Sequence, residues 1–254
     1  GGNWPNAANP TPSGLIAGVG NSNSYTNVIE FIVIATTGNS TDFGDRTVAT
    51  QRLSSLGSST RGLFSGGQAA ANLDTIDFVT IASTGDATDF GNTSGTNQFG
   101  VGLSNNVRGV FALGLGGANG STNLDVIEYV TIANTGNTTD FGNLTEAKGY
   151  ITGCASTTRG LIAGGYSDAN LDVIEYITIA NTGNASDFGD LSAAGYAASS
   201  CASNTRGLFA GGNSSATMDY VTIASTGNAA DFGDLSANTR SGAGCSGSHG
   251  GIAA

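Results

Sequence analysis

The chain is short of charge, and shortest of positive charge. Charged residues make up 11% of its 254 residues, with nineteen acids against eight Lys and Arg, and the net charge is −11. Roughly a quarter of an average soluble protein is charged. Lys148 is the single lysine. A nucleic-acid partner requires a basic stripe to neutralise phosphates, and none exists here, so nucleic acid is excluded. The same deficit argues against an anionic membrane surface. No apolar run is long enough for a helix to cross a bilayer, and no membrane insertion is expected. His249 is the single histidine, in a Gly/Ser-rich tail. No Ser-His-Asp or Cys-His set can be assembled around it, so no catalytic residue is assigned and the chain is read as non-enzymatic. Proline is rare, at three residues, and no window carries a sustained helical period.

Cysteine is scarce too, and its three positions are informative. Cys154, Cys201 and Cys245 fall at one equivalent place in a repeat, where earlier copies have Leu56 and Leu103. A slot that accepts Leu or Cys is a small apolar slot, so the three thiols are expected to be buried and unlinked. An odd count without a nearby His or fourth Cys offers no metal site, and none is assigned.

What the chain has is glycine, 41 residues of it, with Ser, Thr, Asn and Ala, arranged in five near-copies of one unit. Each copy ends in Asp-Phe-Gly, beginning at Asp42, Asp89, Asp140, Asp187 and Asp231, with spacings of 47, 51, 47 and 44. A period in this range marks a repeat architecture whose units bury their apolar surfaces against one another. The fourth copy shows the expected strands. The first is Tyr150-Ile151-Thr152-Gly153-Cys154-Ala155. The second, after an Arg-Gly turn, covers 160–163 and ends at Gly164-Gly165. The third covers 173–180. The fourth is short and carries Asp187-Phe188-Gly189. The third strand is apolar on both faces apart from one acid, as in a sheet covered on both sides. Four strands per 47 residues or so match a propeller blade.

The expected fold is therefore all-β: a five-bladed β-propeller at 14–254 after an irregular lead at 1–13. The first copy lacks a first strand, and Gly242-Ala243-Gly244-Cys245-Ser246 is expected to supply it and close the ring. No N-terminal signal peptide is visible, and the ends read as those of a processed or trimmed piece.

Four copies place an Arg before the second strand, and all copies place an acid in the third. Partly buried charges need partners, so ion pairs are expected for Arg61 with Asp77, Arg108 with Glu128, Arg159 with Glu175 and Arg206 with Asp219. Antiparallel order puts connections 1–2 and 3–4, nearly uniform in sequence, on one face. Connections 2–3 and 4–1, which vary, fall on the other. Variable loops on a rigid scaffold are where function is sought. The candidate ligand-binding residues there are Tyr25, Gln98, Phe99, Lys148, Tyr150, Tyr166, Asp168, Tyr196 and Arg240. Aromatics among amides and hydroxyls suit stacking on, and hydrogen bonding to, sugars. The Asn-rich turns lack the ligand density of a calcium loop, and no cofactor is implied.

The doublets Gly66-Gly67, Gly116-Gly117, Gly164-Gly165 and Gly211-Gly212, each followed by a strand with a central aromatic (Phe78, Tyr129, Tyr176, Tyr220), resemble kelch repeats. Phe of Asp-Phe-Gly stands where kelch repeats have a Trp, and the first copy has Gly18-Val19-Gly20 in place of the doublet. The run from Tyr220 to Leu235 resembles kelch-like repeats in virion structural proteins of tailed phages, especially marine ones. That resemblance implies a virion location, as part of a fibre, tail or capsid surface, with other virion proteins or a host-surface glycan as partners, and it is compatible with a homo-oligomer. It carries over no functional residues. A secreted lectin-like propeller is the alternative, and a propeller glycosidase or lyase the remote third.

Overall fold

The computed structural model describes residues 13–18 and 24–244. The lead at 1–12, Cys245, His249 and the second half of the expected closing strand lie outside the described residues. Everything regular is β. The first unit holds β1 (Ser13–Ala17), β2 (Thr26–Val33) and β3 (Thr41–Thr50). The second holds β4 (Ser54–Gly57), β5 (Arg61–Ser65), β6 (Leu73–Thr80) and β7 (Thr88–Gln98). The third holds β8 (Val101–Ser104), β9 (Arg108–Ala112), β10 (Leu115–Gly116), β11 (Thr122–Thr131) and β12 (Thr139–Lys148). The fourth holds β13 (Thr152–Ala155), β14 (Arg159–Ala163), β15 (Leu171–Thr178) and β16 (Ser186–Gly195). The fifth holds β17 (Ser199–Ala202), β18 (Arg206–Ala210), β19 (Ser215–Thr222) and β20 (Ala230–Thr239). Neighbouring strands are antiparallel, and each complete unit is a four-stranded up-and-down sheet. The short β10 pairs with both β7 and β11 and so joins the second and third sheets.

The fourth strand of each unit is longer than the sequence suggests, ten or eleven residues in the units with all four strands. It carries irregularities that no apolar alternation announces. In the fourth unit the register shifts between Val173↔Asp190 and Ile174↔Gly189 on one side and Glu175↔Asp187 on the other. The Gly of Asp-Phe-Gly sits at the shift with φ near +145°: 148° at Gly44, 148° at Gly91, 147° at Gly142 and 143° at Gly189. A side chain there is strained and also obstructed. A Cβ on Gly44, Gly91, Gly142 or Gly189 would run into the backbone of a turn in the next unit, Gly85-Asp86 for Gly44 and a Gly-Asn turn for the other three.

The core lies between units. Leu161 and Ile174 face the fifth unit and pack with Phe188, Phe209 and Val221. Ile162 and Ile177, on the other face of the same sheet, pack with Leu103, Val110 and Phe141 of the third. This is why the second and third strands are apolar on both faces. Each Phe of Asp-Phe-Gly meets the third-strand aromatic of its own unit, edge-on at 75–81° in four of the five, as at Tyr176–Phe188 with 6.1 Å between centroids. Phe43, Phe90, Phe141 and Phe188 are each 2% exposed, but Phe232 is 49% exposed. Among the described residues no neighbouring unit covers Phe232. Ile34 of the first unit is exposed as well, at 37%.

Candidate ligand-binding face

The acids of the third strand do not pair with the arginines of the second. Strand register gives the reason. Arg159 stands opposite Thr178, and Glu175 stands opposite Ile162. The two are an odd three positions apart along the ladder, so their side chains leave opposite faces. Each arginine instead lies over the aromatic next to the acid. Arg61 is 4.5 Å from the Phe78 centroid, and Arg108, Arg159 and Arg206 are each 4.3 Å from Tyr129, Tyr176 and Tyr220. Arg61, Arg108 and Arg159 also donate from Nη1 to the carbonyls of Ile132, Ile179 and Ile223, each in the following unit. The expected pairs Arg61–Asp77, Arg108–Glu128, Arg159–Glu175 and Arg206–Asp219 are thus replaced by cation–π contacts and inter-unit ties.

The acids face the fourth strand of the preceding unit. Asp77 accepts from Thr47 Oγ1 at 2.6 Å and from Arg46 Nε at 3.0 Å. Glu128 accepts from the Ser94 amide and from Thr138 Oγ1. Glu175 accepts from the Thr145 amide at 2.6 Å and from its hydroxyl, and pairs with Lys148 Nζ at 2.7 Å. Asp219 accepts from the Ser192 amide at 2.9 Å and hydroxyl at 2.8 Å. The sequence held the signal. A Ser or Thr stands five residues after the Asp of every Asp-Phe-Gly: Thr47, Ser94, Thr145, Ser192 and Ser236.

The 4–1 connections turn through one left-handed residue per unit: Arg52 (φ 63°), Phe99 (55°), Tyr150 (56°), Ala197 (55°) and Ser241 (58°). Glycine is the residue such a position favours, and none is there. Non-glycine residues at φ > 0 carry strain of order 1–3 kcal/mol and concentrate at functional sites. The residues are tied in series, with amides donating from Phe99 to Arg52, Ala197 to Tyr150 and Ser241 to Ala197. Arg52, Phe99 and Tyr150 of this set form a row with neighbouring loop residues. Arg52 lies 4.8 Å from the Phe99 centroid, Phe99 and Tyr150 stack at 4.1 Å, and Tyr196 meets Tyr150 at 5.6 Å and Tyr166 at 6.0 Å. Arg240 Nη1 donates to the Tyr196 hydroxyl at 3.3 Å. The 2–3 and 4–1 loops are hydrogen-bonded together, through Gly149 with Tyr166 and through Asn213 with Tyr196.

Of the nine candidate residues, Phe99, Tyr150, Tyr166, Tyr196 and Arg240 come together in this row. Tyr166 is exposed, and Phe99, Tyr150 and Tyr196 are half-buried. Tyr25 and Asp168 are exposed, and no contact joins them to the row. Gln98 and Lys148 correct the expectation. They are 3% and 0% exposed, because they end long fourth strands instead of lying in loops. Arg52, which the sequence reading passed over, opens the row. Its place opposite the aromatic positions was readable only from the repeat phase.

The cysteine slot is real, with Cys154 opposite Leu161 and Cys201 opposite Leu208, as Leu56 is opposite Leu63. Cys154 is unlinked and buried, and burial pushes its thiol up to about 12. Cys201 is only half-buried, a correction to the expected full burial. A cavity of about 210 Å³ is lined by first-strand residues of the later units, among them Ser55, Gly102, Gly153 and Ser200, together with Gly14 of the first unit and Gly244. A Cβ on Gly244 would meet the Ser200 carbonyl, just as one on Gly102 would meet that of Ser55. No group of His, Cys, Asp and Glu among the described residues could hold a metal ion.

No protein-family model matches the chain, and no curated protein matches it. Among solved structures, its fold is similar to that in "Structure of YjhT", with a TM-score of 0.69 over 86% of this chain and 81% of that one at 8% identity. At that identity the likeness is one of fold.

Proposed function

We propose that the chain is a non-enzymatic virion structural or attachment module, a five-bladed propeller whose variable-loop face binds a glycan or partner protein. The observation that carries this is the aromatic row from Phe99 through Tyr150 and Tyr196 to Tyr166, part of it held on a strained backbone. Tilted and edge-on rings, three of them tyrosines with hydroxyls, present an apolar surface with polar handles, which is what a sugar ring requires of its site. Arg52 and Arg240 at its ends supply further donors.

Two observations support a ring. YjhT is a kelch-type propeller. All five units contribute to one central cavity, and Gly244 takes the place beside Ser200 that a sixth first strand would take. The ring then closes at its inner strands through Gly242-Ala243-Gly244. Low charge and closed strand edges suit an exposed, durable particle. The virion itself rests on the resemblance of the repeats. A secreted lectin is the second reading, favoured by the same row.

A glycan array with the intact chain tests the binding. A bound sugar class that is lost in Tyr150→Ala and Tyr196→Ala supports the reading. Binding that survives both changes and is lost on altering the uniform turns around Arg159 would place the working face on the other side. Neighbouring tail, portal or capsid genes separate the virion from the lectin.

A further inference from the structure

The junctions between units treat one buried acid in different ways. Between the first and second units, Arg46 Nε meets Asp77 at 3.0 Å, with Nη1 on Thr50 Oγ1. Between the second and third, Thr93 and Asn97 fill the place, hydrogen-bonded to each other at 3.0 Å. Between the third and fourth, Lys148 Nζ meets Glu175 at 2.7 Å, both side chains being fully buried. These residues occupy two equivalent positions of the fourth strand. The register fixes the second: Thr50, Asn97, Lys148 and Gly195 stand opposite Thr26, Leu73, Leu124 and Leu171. The first position holds Arg46, Thr93, Leu144 and Leu191.

At the fourth junction the two positions are therefore Leu191 and Gly195, and neither brings a polar group. A cavity of about 240 Å³ opens there, lined by Leu191, Gly195, Tyr196 and Asp219 among others. Asp219 is 5% exposed. Its Oδ2 is held by Ser192, and its Oδ1 is buried without a partner. A buried carboxylate oxygen left unpaired is costly. At the two junctions where the acid meets a cation, an ammonium or a guanidinium occupies the corresponding space.

We propose that this cavity binds the primary ammonium group of an alkylamine, either a lysine side chain or the end of a free polyamine. The ammonium donates to Asp219 Oδ1, where Lys148 donates to Glu175 one unit earlier. The methylene stem runs past Gly195, in the space that the Lys148 stem fills at its own junction. Tyr196 lines the wall and adds a ring face to the cation. Gly195 leaves room for the stem, since a Cβ there would meet only Asn213 Cβ at 3.8 Å. This site adjoins the aromatic row through Tyr196 but does not depend on the glycan reading.

The test is calorimetric titration of the intact chain with cadaverine and with Nα-acetyl-lysine amide. The expected result is saturable binding, weakened at least roughly tenfold by Asp219→Asn. Gly195→Lys, which copies Lys148, is expected to abolish binding and raise the melting temperature. Binding of both probes assigns a lysine side chain, and binding of cadaverine alone assigns a free polyamine. The proposal is overturned if neither amine binds, or if Gly195→Lys, folded, binds them as well as the wild type does.

Discussion

Arg159 lies over the ring of Tyr176, its guanidinium carbon 4.3 Å from the centroid, and turns away from the neighbouring Glu175. Its Nη1 reaches the Ile223 carbonyl of the next unit at 2.9 Å. The arginine that opens the second strand in the second, third and fourth units is therefore a strap between units, built from a cation–π contact and one charge-assisted hydrogen bond. Together these are worth about 1–3 kcal/mol at a half-buried site. Arg159→Ala is expected to lower unfolding stability by that amount in urea titration. Glu175→Gln in the Arg159→Ala background should add its own cost independently. A strong coupling energy between the two changes would mean that they do interact.

The buried cation of Glu175 is Lys148, and removing it should cost more. Both side chains are fully buried. Lys148→Met leaves Glu175 holding the Thr145 hydrogen bonds with an unpaired charge, at an expected loss of about 3–5 kcal/mol. Adding Glu175→Gln removes that charge and should recover most of the loss. A double-mutant cycle by urea unfolding measures it, and a double variant no more stable than Lys148→Met alone would contradict the pairing.

The repeat made the strand order, the face assignment and the two-sided burial of the third strand legible, because Ile174 and Ile177 cannot both be covered by one neighbour. It misled on the acids. Identical units invite pairing within a unit, but Arg159 and Glu175 differ by an odd number of ladder positions and cannot share a face. Lys148 and Gln98 read as loop residues because the fourth strand has no apolar alternation. Its length comes from pairing with the third strand across the Gly189 irregularity. The αL turns were hidden for a related reason: with Phe99 and Tyr150 where glycine is usual, nothing in the residue types marks φ > 0.

Cys154 is shielded by the packing of its slot, and burial raises its thiol to about 12 from an ordinary 9.0, with Cys201 adding to the rise. The unfolded thiol therefore ionises first. Stability from this group is complete below pH 9 and is lost as pH rises from about 9 to about 12. Between pH 8 and 10 the wild type should lose roughly 1 kcal/mol more than Cys154→Ala does. An aromatic disulfide reagent at pH 8 should label Cys154 only after unfolding. Rapid labelling of this residue in the native protein would contradict the burial.

The open side of the fifth unit makes the last prediction. Gly142 and Gly233 are equivalent, with φ of 147° and 134°. A Cβ on Gly142 would strike the backbone of Gly183 in the next unit, but one on Gly233 would meet only Met218 Cε at 3.9 Å. Gly142→Ala therefore incurs backbone strain plus a collision that must push two units apart, about 2–4 kcal/mol in all. Gly233→Ala incurs the strain alone and should cost clearly less. The same contrast holds for the aromatic before each glycine. Phe188→Ala empties a buried site, at about 3–5 kcal/mol, and Phe232→Ala removes a half-exposed ring for less. Urea unfolding of the four variants compares both pairs. Equal costs within each pair would mean that the Gly38-Asn39 turn of the first unit seats on Gly233 as Gly183-Asn184 seats on Gly142. That result would support closure of the proposed ring at its outer strands.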